Sequence, residues 1–271
     1  MADQIAINDV KLKYASIADA KKMSGLRIIL GAIAVPGPWR EACKGIFHIK
    51  KFPYVAVTGV GQDGTDRELV EWTAQSSAPV AIWNDERPRS TWIEQLYLAE
   101  RLVPNPPLIP ASIEDRALMF GYANEICGQN GFGWSKRLVM INSTVTNPKT
   151  PDNVKAFWLK FGTKYGYSAE AAQGAAGRMV EILNFLDARL SSQKAKGSKF
   201  FIGNQLSALD VYWATFAALI RPLPPELCPM ATGFRDFYSE KNPAVNAALS
   251  QQLLDHRDFI YREYLELPVV F

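Results

Sequence analysis

One cysteine, Cys43, stands where a reactive thiol could form, three residues after Arg40 in the segment AIAVPGPWREACKG. The thiolate is the nucleophilic form of cysteine, and a neighbouring cation or a helix N-terminus lowers the thiol pKa. A thiol-disulfide oxidoreductase that uses Cys43 is therefore one hypothesis, although the second cysteine of a CxxC pair is missing. The apolar neighbours Ile46 and Phe47 favour another interpretation, in which Cys43 is buried in a core and inert.

The remaining cysteines and histidines do not follow a metal-binding pattern. Cys43, Cys127 and Cys228 are far apart, and His48 and His256 are too few and too distant for a histidine-based site. We therefore expect no metal and no disulfide framework, and a reducing cytoplasmic setting. A formal net charge of +3 is too small to indicate a nucleic-acid partner. No apolar run has the length of a signal peptide or a membrane span, so we expect no membrane partner.

Short apolar segments alternate with helical segments in the first part of the chain. Branched and aromatic residues predict strands at Leu26–Ala34, Tyr54–Val57 and Val80–Trp83. Helical spacing of apolar residues predicts helices over Trp39–Lys51 and Thr91–Leu102. Strands that alternate with helices indicate an α/β domain.

A proline-rich segment, VPNPPLIP, separates this part from a second part that is almost wholly helical. Four prolines in eight residues cannot continue a helix. We predict a two-domain α+β protein with an N-terminal extension over 1–25, an α/β domain over 26–102, a linker over 103–111 and an all-α domain over 112–271. Within the extension, DAKKMSG is typical of a short extra helix.

A capping motif accounts for an aspartate in the apolar segment FFIGNQLSALDVYWATFAAL. Ser207 and Asp210 have S-x-x-D spacing, in which the serine caps a helix and the carboxylate reaches back to the amide of the capping residue. We expect Asp210 to have a structural role at a helix start, where the helix dipole also favours its charge.

Three separate segments, in the right order, resemble cytosolic glutathione transferases. They are SAPVAIW around Pro79, STWIEQLYLAERL from Ser90, and FFIGNQLSALDVYWA with the capping motif. The resemblance runs from about Leu26 to the end of the chain and identifies a divergent, bacterial-type member of the superfamily. It implies a thioredoxin-like domain followed by an all-α helical bundle, glutathione as co-substrate, and a homodimer.

The resemblance also implies where glutathione binds. In the family the proline before the third strand is usually cis and frees the preceding backbone for the cysteinyl part of glutathione, which corresponds here to Ala78 and Pro79. An ordinary trans proline is the alternative. Ser90 and Thr91 correspond to the pair that holds the γ-glutamyl group at a helix start, where free amides suit a carboxylate. Ser90 stands where an acidic residue is usual, and Glu94 could compensate. Alternatively, one of the pair is only a helix N-cap.

The catalytic position departs from the family pattern. Family enzymes activate the glutathione thiol with a Tyr, Ser or Cys after the first strand, and the residue aligned here is Gly37. The candidates for the catalytic role are therefore Gly37 itself, Arg40, Cys43 and the helix start near Trp39.

The second substrate of the family lies between the two domains, along the first helix of the helical half. Here a helix from Ile113 to about Cys127 is expected to break at Gly128, Gly131 and Gly133 and to resume at Trp134. The alternative is a kinked helix whose aromatic residues pack in the core. The candidates for an apolar pocket with a cationic rim are Tyr122, Asn124, Phe132, Trp134 and Arg137.

Three functions remain open from the sequence. The leading hypothesis is a glutathione transferase-like enzyme, in which the glutathione thiolate attacks or reduces a small apolar electrophile in the interdomain cleft. The second is a non-catalytic binding protein with the same fold, favoured by the missing side chain at Gly37 and the missing acid at Ser90. The third is the oxidoreductase that uses Cys43.

Overall fold

The computed structural model describes residues 12–31, 35–59, 67–230 and 232–271, without the side chain of Thr232. The chain divides into two compact units. The first comprises residues up to 108 together with 222–235 and 260–271, and the second comprises 109–221 and 236–259. Two late segments that the sequence analysis assigned to the helical half are therefore part of the first unit. The change of unit between 108 and 109 falls inside the predicted linker.

A four-stranded sheet in the order β1-β3-β2-β4 is the centre of the first unit as far as it is described. Its strands are β1 (Tyr14–Ala15), β2 (Leu26–Ile29), β3 (Val55–Val57) and β4 (Val80–Trp83). Strand β3 is parallel to β1 and β2, whereas β4 is antiparallel to β2. The strand predicted over Val80–Trp83 is confirmed.

The strand predicted over Leu26–Ala34 is shorter than expected. It ends at Ile29, since the next two carbonyl groups, of Leu30 and Gly31, accept hydrogen bonds from Arg40. Residues 32–34 of the prediction lie outside the described part of the chain.

Strand β1 was not predicted. Tyr14 and Ala15 pair with Ala56 and Val57, and a short helix, α1 (Ile17–Ala20), follows them. Buried side chains of α1 pack in one core with residues of the sheet and of helix α3 (Arg67–Thr73). The described part of the predicted extension is thus built into the α/β unit, and its helix begins earlier than DAKKMSG.

Two longer helices complete the part of the first unit that concerns the site. They are α2 (Pro38–Ile49), with proline at its first position, and α4 (Trp92–Leu102). The fully buried ammonium group of Lys50 lies 2.5 Å from Glu100 on α4 and 2.6 Å from the carbonyl oxygen of Pro106. This buried ion pair ties the end of α2 to α4 and to the proline-rich segment.

Helices make up the later part of the chain, as predicted. Their bounds are α5 (Ile113–Cys127), α6 (Phe132–Val145), α7 (Asp152–Thr163), α8 (Ala169–Ala195), α9 (Ala208–Phe216), α10 (Thr232–Tyr238), α11 (Pro243–Ala248) and α12 (Gln251–Tyr264). None of the helices among the described residues combines the length and apolarity needed to cross a membrane.

The carboxylate of Asp210 is the hydrogen-bonding centre of the helical unit. It is fully buried and accepts from the amide of Phe201 at 2.9 Å and from the amide and hydroxyl of Ser207 at 2.9 and 2.8 Å. The ring nitrogen Nε2 of His256 on α12 lies 3.0 Å from Oδ1, the oxygen that also accepts from Phe201, whereas both Ser207 donors bind Oδ2. The predicted cap is confirmed, and the partner on α12 is new.

Asp210→Ala is expected to lower the free energy of unfolding by about 3 kcal/mol, because four buried donors lose their acceptor. Urea denaturation followed by circular dichroism measures this loss. Asp255→Ala, on an exposed position of the neighbouring turn of α12, is the control and should stay within about 0.5 kcal/mol of the unchanged protein. A loss below about 1 kcal/mol for Asp210→Ala would contradict the role assigned to the network.

Candidate functional site

The peptide bond between Ala78 and Pro79 is cis, which confirms the form expected at this position. Pro79 immediately precedes β4, and the side chain of Ala78 packs against the core of the α/β unit. The backbone of this segment therefore leads directly into β4, and the resemblance assigns the cysteinyl part of glutathione to this segment. Contact with that ligand stays a prediction.

The N-terminus of α4 is capped by the protein's own side chains. Thr91 is the N-cap, as in the alternative interpretation, and its hydroxyl accepts from the amide of Glu94 at 3.3 Å. Oxygen Oε2 of Glu94 accepts from the amides of Ser90 and Thr91 at 3.3 and 3.2 Å and from the Thr91 hydroxyl at 2.9 Å. The donors predicted to hold a γ-glutamyl carboxylate thus already face a carboxylate.

Glu94 is ionised in this arrangement. Its second oxygen lies 2.7 Å from Arg87. Burial alone would raise the pKa of Glu94, but hydrogen bonds from Arg87 and Thr91 outweigh burial and lower the pKa below its ordinary value.

The two predicted binding segments lie next to each other because Gln95 joins them. Its buried side-chain nitrogen donates to the carbonyl oxygen of Pro79 at 3.1 Å and to that of Arg89 at 3.3 Å. Arg89 also forms a bridge with Ala81 on β4. The proline segment and the start of α4 are therefore held side by side within one unit.

At Gly37 the space for a side chain is already filled. Gly37 is the N-cap of α2, and a Cβ atom added there would lie 2.5 Å from Nε of Arg40. The Arg40 guanidinium donates to the carbonyl oxygens of Leu30, Gly31 and Val35 at 2.8 to 2.9 Å. The Arg40 cation therefore occupies the space that a side chain at position 37 would need, and glycine allows its close approach.

The other two catalytic candidates on α2 differ in access. Trp39 is half-buried. Cys43 is 1% exposed, and burial raises the pKa of its thiol to about 12, against a smaller opposite effect of Lys44. Cys43 is thus the inert core cysteine of the second interpretation.

Tyr14 is a candidate functional residue that the sequence analysis missed. Its hydroxyl donates to the carbonyl oxygen of Gly31 at 3.4 Å and lines a narrow pocket with Arg40 and Glu41. Burial raises the pKa of Tyr14, so the phenol is protonated and can donate at neutral pH. No sequence signal identified it, since it lies before the segments that carry the resemblance.

The residues predicted for the second substrate belong to several side-chain clusters. The ring of Tyr122 stacks on Phe185 at 4.2 Å, and Asn124 is exposed. Phe132 is fully buried and packs edge-on against Trp213 at 6.0 Å. For Phe132 the structure therefore favours core packing, the alternative interpretation.

Trp134 and Arg137 share one aromatic cluster in the helical unit. The indole of Trp134 packs on Tyr165 at 4.7 Å and donates to its carbonyl oxygen at 3.0 Å. The buried Arg137 guanidinium lies 6.0 Å from the ring of Phe161 and 5.7 Å from that of Tyr238. Whether these residues line a substrate pocket stays a prediction.

The predicted helix break is confirmed, and two of its glycines are required by close packing. A Cβ atom at Gly128 would lie 2.3 Å from the side-chain oxygen of Asn124, and one at Gly131 would lie 2.6 Å from the carbonyl oxygen of Glu125. Helix α6 begins at Phe132, so Gly133 belongs to its first turn.

Potential metal ligands do not cluster in the part of the chain that is described. No group of three His, Cys, Asp or Glu side chains there could hold a metal ion. Cys43, Cys127 and Cys228 are all buried thiols.

All three thiols of the native protein are expected to react slowly with Ellman's reagent at mildly alkaline pH. Burial raises the pKa of Cys43 and Cys228 to about 12 and that of Cys127 well above its ordinary value, so thiolate is scarce until the pH approaches those values. Unfolding in guanidinium should release three rapidly reacting thiols. A fast native reaction that Cys43→Ser removes would contradict the assignment of Cys43 as inert.

Residues 169–249 match the family model of the glutathione S-transferase C-terminal domain. No curated protein matches the chain. A glutathione S-transferase of Methylobacterium radiotolerans, solved with glutathione sulfonate, has a TM-score of 0.59 at 14% identity over 89% of this chain and 93% of that one. One from Xanthobacter autotrophicus has a TM-score of 0.56 at 12% identity over 90% and 96%, and a rice enzyme in complex with glutathione has 0.51 at 16% over 88% and 96%. The chain therefore has the glutathione transferase fold, and residues 169–249 are similar to the C-terminal domain of glutathione S-transferases.

Proposed function

We propose that the protein binds glutathione in its α/β unit and acts as a glutathione transferase-like enzyme. The observation that carries the proposal is the link through Gln95, which holds the Ala78–Pro79 segment beside Ser90 and Thr91. These are the segments to which the resemblance assigns the cysteinyl and γ-glutamyl parts of the tripeptide. Solved proteins of the same fold contain glutathione or glutathione sulfonate, which supports this choice of ligand.

The proposed chemistry begins with a thiolate near Gly37. The positive end of the α2 dipole and the positive charge of Arg40 would favour the thiolate without a side-chain hydroxyl at position 37. The thiol proton goes to solvent, and the sulfur attacks a small apolar electrophile. A carbon–sulfur bond forms while the leaving group departs with its electron pair. The identity of that electrophile and the place where it binds stay predictions.

A non-catalytic binding protein is the second candidate. The geometry at Gly37 favours it, because both Nη atoms of Arg40 donate to backbone carbonyl groups and glycine at position 37 has no side chain that could donate to a thiol. The oxidoreductase that uses Cys43 is not proposed, since that thiol is buried with a raised pKa.

A cytoplasmic location and a homodimer also belong to this proposal. Three buried thiols suit a reducing compartment. The homodimer follows from the resemblance alone, and sedimentation velocity would test it.

Titration with glutathione, followed by tryptophan fluorescence, is expected to saturate at low millimolar concentration or below. Trp92 directly follows Thr91 at the start of α4, and Trp83 ends the strand that Pro79 precedes, so occupancy should change the tryptophan emission. Conjugation of 1-chloro-2,4-dinitrobenzene then separates the two candidates. Saturable binding with turnover supports the enzyme, saturable binding without turnover supports the binding protein, and no binding contradicts both.

Gln95→Leu is expected to weaken glutathione binding about tenfold or more, because the two segments lose the donor that holds them together. Gln193→Leu is a matched control in the helical unit. It is equally buried and donates to two carbonyl oxygens, those of Phe200 and Gly203, at 3.1 and 2.9 Å. Both variants should lose stability by about 1–3 kcal/mol, measured by urea unfolding, and only the first should lose affinity. An equal loss of affinity in both would show that Gln95 acts through stability alone.

A further inference from the structure

The start of α4 offers the donors that an anion needs. The first amides of a helix have no partner within the helix, and together with the dipole they attract negative charge. Here Ser90 and Thr91 contribute two such amides, and Thr91 adds a hydroxyl. All three donors converge on a single atom, oxygen Oε2 of Glu94.

Glu94 therefore imitates a bound carboxylate. It contacts the amides of Ser90 and Thr91 and the Thr91 hydroxyl, the pair of residues to which the proposed function assigns the γ-glutamyl part of glutathione. Its other oxygen is held by Arg87, so both oxygens are engaged. A second carboxylate cannot share these donors at hydrogen-bond distance without severe repulsion between like charges.

Glu94 also has a large advantage as a competitor. It is part of the helix that it caps, so its effective concentration at these donors is far above that of a dissolved ligand. Its side chain is 27% exposed, whereas Arg87 is 68% exposed. The Glu94 carboxylate can therefore turn away from these donors toward water. Its ion pair with the exposed Arg87 contributes little free energy that would oppose this movement.

We infer that Glu94 acts as an internal competitor that lowers the affinity of the site for the α-carboxylate of a γ-glutamyl ligand. The inference rests on the proposed function. Ligand binding exchanges one carboxylate for another at Ser90 and Thr91, so this contact contributes little net affinity. The site then distinguishes only weakly between glutathione and an analogue without that carboxylate.

The test compares two ligands and two matched variants. The ligands are glutathione and an analogue whose γ-glutamyl residue is replaced by 4-aminobutyrate, which lacks the α-carboxylate. The variants are Glu94→Ala and Glu86→Ala. Glu86 has a similarly exposed side chain, at 32%, and its carboxylate is paired with Arg89 and Arg101, so its removal changes the local charge equally but leaves Glu94 in place.

Glu94→Ala is expected to bind glutathione about tenfold more tightly than the unchanged protein, because the freed donors gain a charged acceptor. Binding of the analogue should change less than about twofold in that variant. Glu86→Ala should leave the ratio of the two affinities unchanged. If Glu94→Ala binds glutathione no better than the unchanged protein, the inference is wrong and the proposed function stands. If none of the three proteins binds glutathione, the proposed function fails.

Amide hydrogen exchange tests the competitor without any ligand. The amides of Ser90 and Thr91 should exchange slowly in the unchanged protein and in Glu86→Ala, and rapidly in Glu94→Ala. Slow exchange in Glu94→Ala would overturn the inference whatever the ligand does. Should loss of the cap unfold Glu94→Ala, Glu94→Gln keeps a neutral acceptor and removes the charge, and it should still bind glutathione more tightly.

Discussion

A buried carboxylate cannot remain unpaired, and Asp210 therefore dictates much of the helical unit. Its two oxygens are satisfied only if the loop at Phe201, the cap at Ser207 and the ring of His256 come together. Those groups come from two separate stretches of the second unit, the segment 201–207 and helix α12. Because the Asp210 carboxylate needs these partners, only some arrangements of the helices are possible, and the hydrophobic core packs within one of them. Lys50 and Glu100 have a comparable role in the first unit, where a fully buried ammonium group joins α2, α4 and the proline-rich segment.

At the candidate site, side chains also satisfy polar backbone groups, but they do so where a ligand would bind. Arg40, Glu94 and Gln95 each satisfy backbone groups around the place where a ligand would bind. Gln95 organises the site, because it fixes two segments that must converge. Arg40, in contrast, fills the space beside Gly37, and Glu94 accepts from the donors to which the proposal assigns part of the ligand. The fold alone therefore does not fix the chemistry of this chain.

Sequence reasoning predicted those parts of the fold that depend on local signals. The Ser207–Asp210 spacing and the proline before β4 act on their own neighbours, and both were interpreted correctly. The glycines after Cys127 correctly indicated a break, but Gly133 lies inside α6, which begins earlier than expected. Contacts between distant residues were missed. Strand β1 is only two residues long, and its extended conformation is defined by its pairing with Ala56 and Val57. His256 and Tyr14 have roles only through partners far away in the sequence. At the site, the direction of the Glu94 side chain decides whether Ser90 and Thr91 are open or occupied, and spacing alone does not contain that direction.

The first unit is discontinuous, with segments 222–235 and 260–271 arriving only after most of the second unit in chain order. During synthesis, segments 222–235 and 260–271 of the first unit therefore leave the ribosome only after helices α5 to α9. The amide of Val269 donates to the carbonyl oxygen of Leu227, which joins the two late segments to each other. Lys44 on helix α2 contacts the carbonyl oxygen of Val270, which joins a late segment to the early part of the unit. A nascent chain that stops short of residue 222 can complete neither its sheet domain nor its helical one. A cut at the proline-rich segment would therefore separate residues 222–235 and 260–271 from the rest of the unit to which they belong.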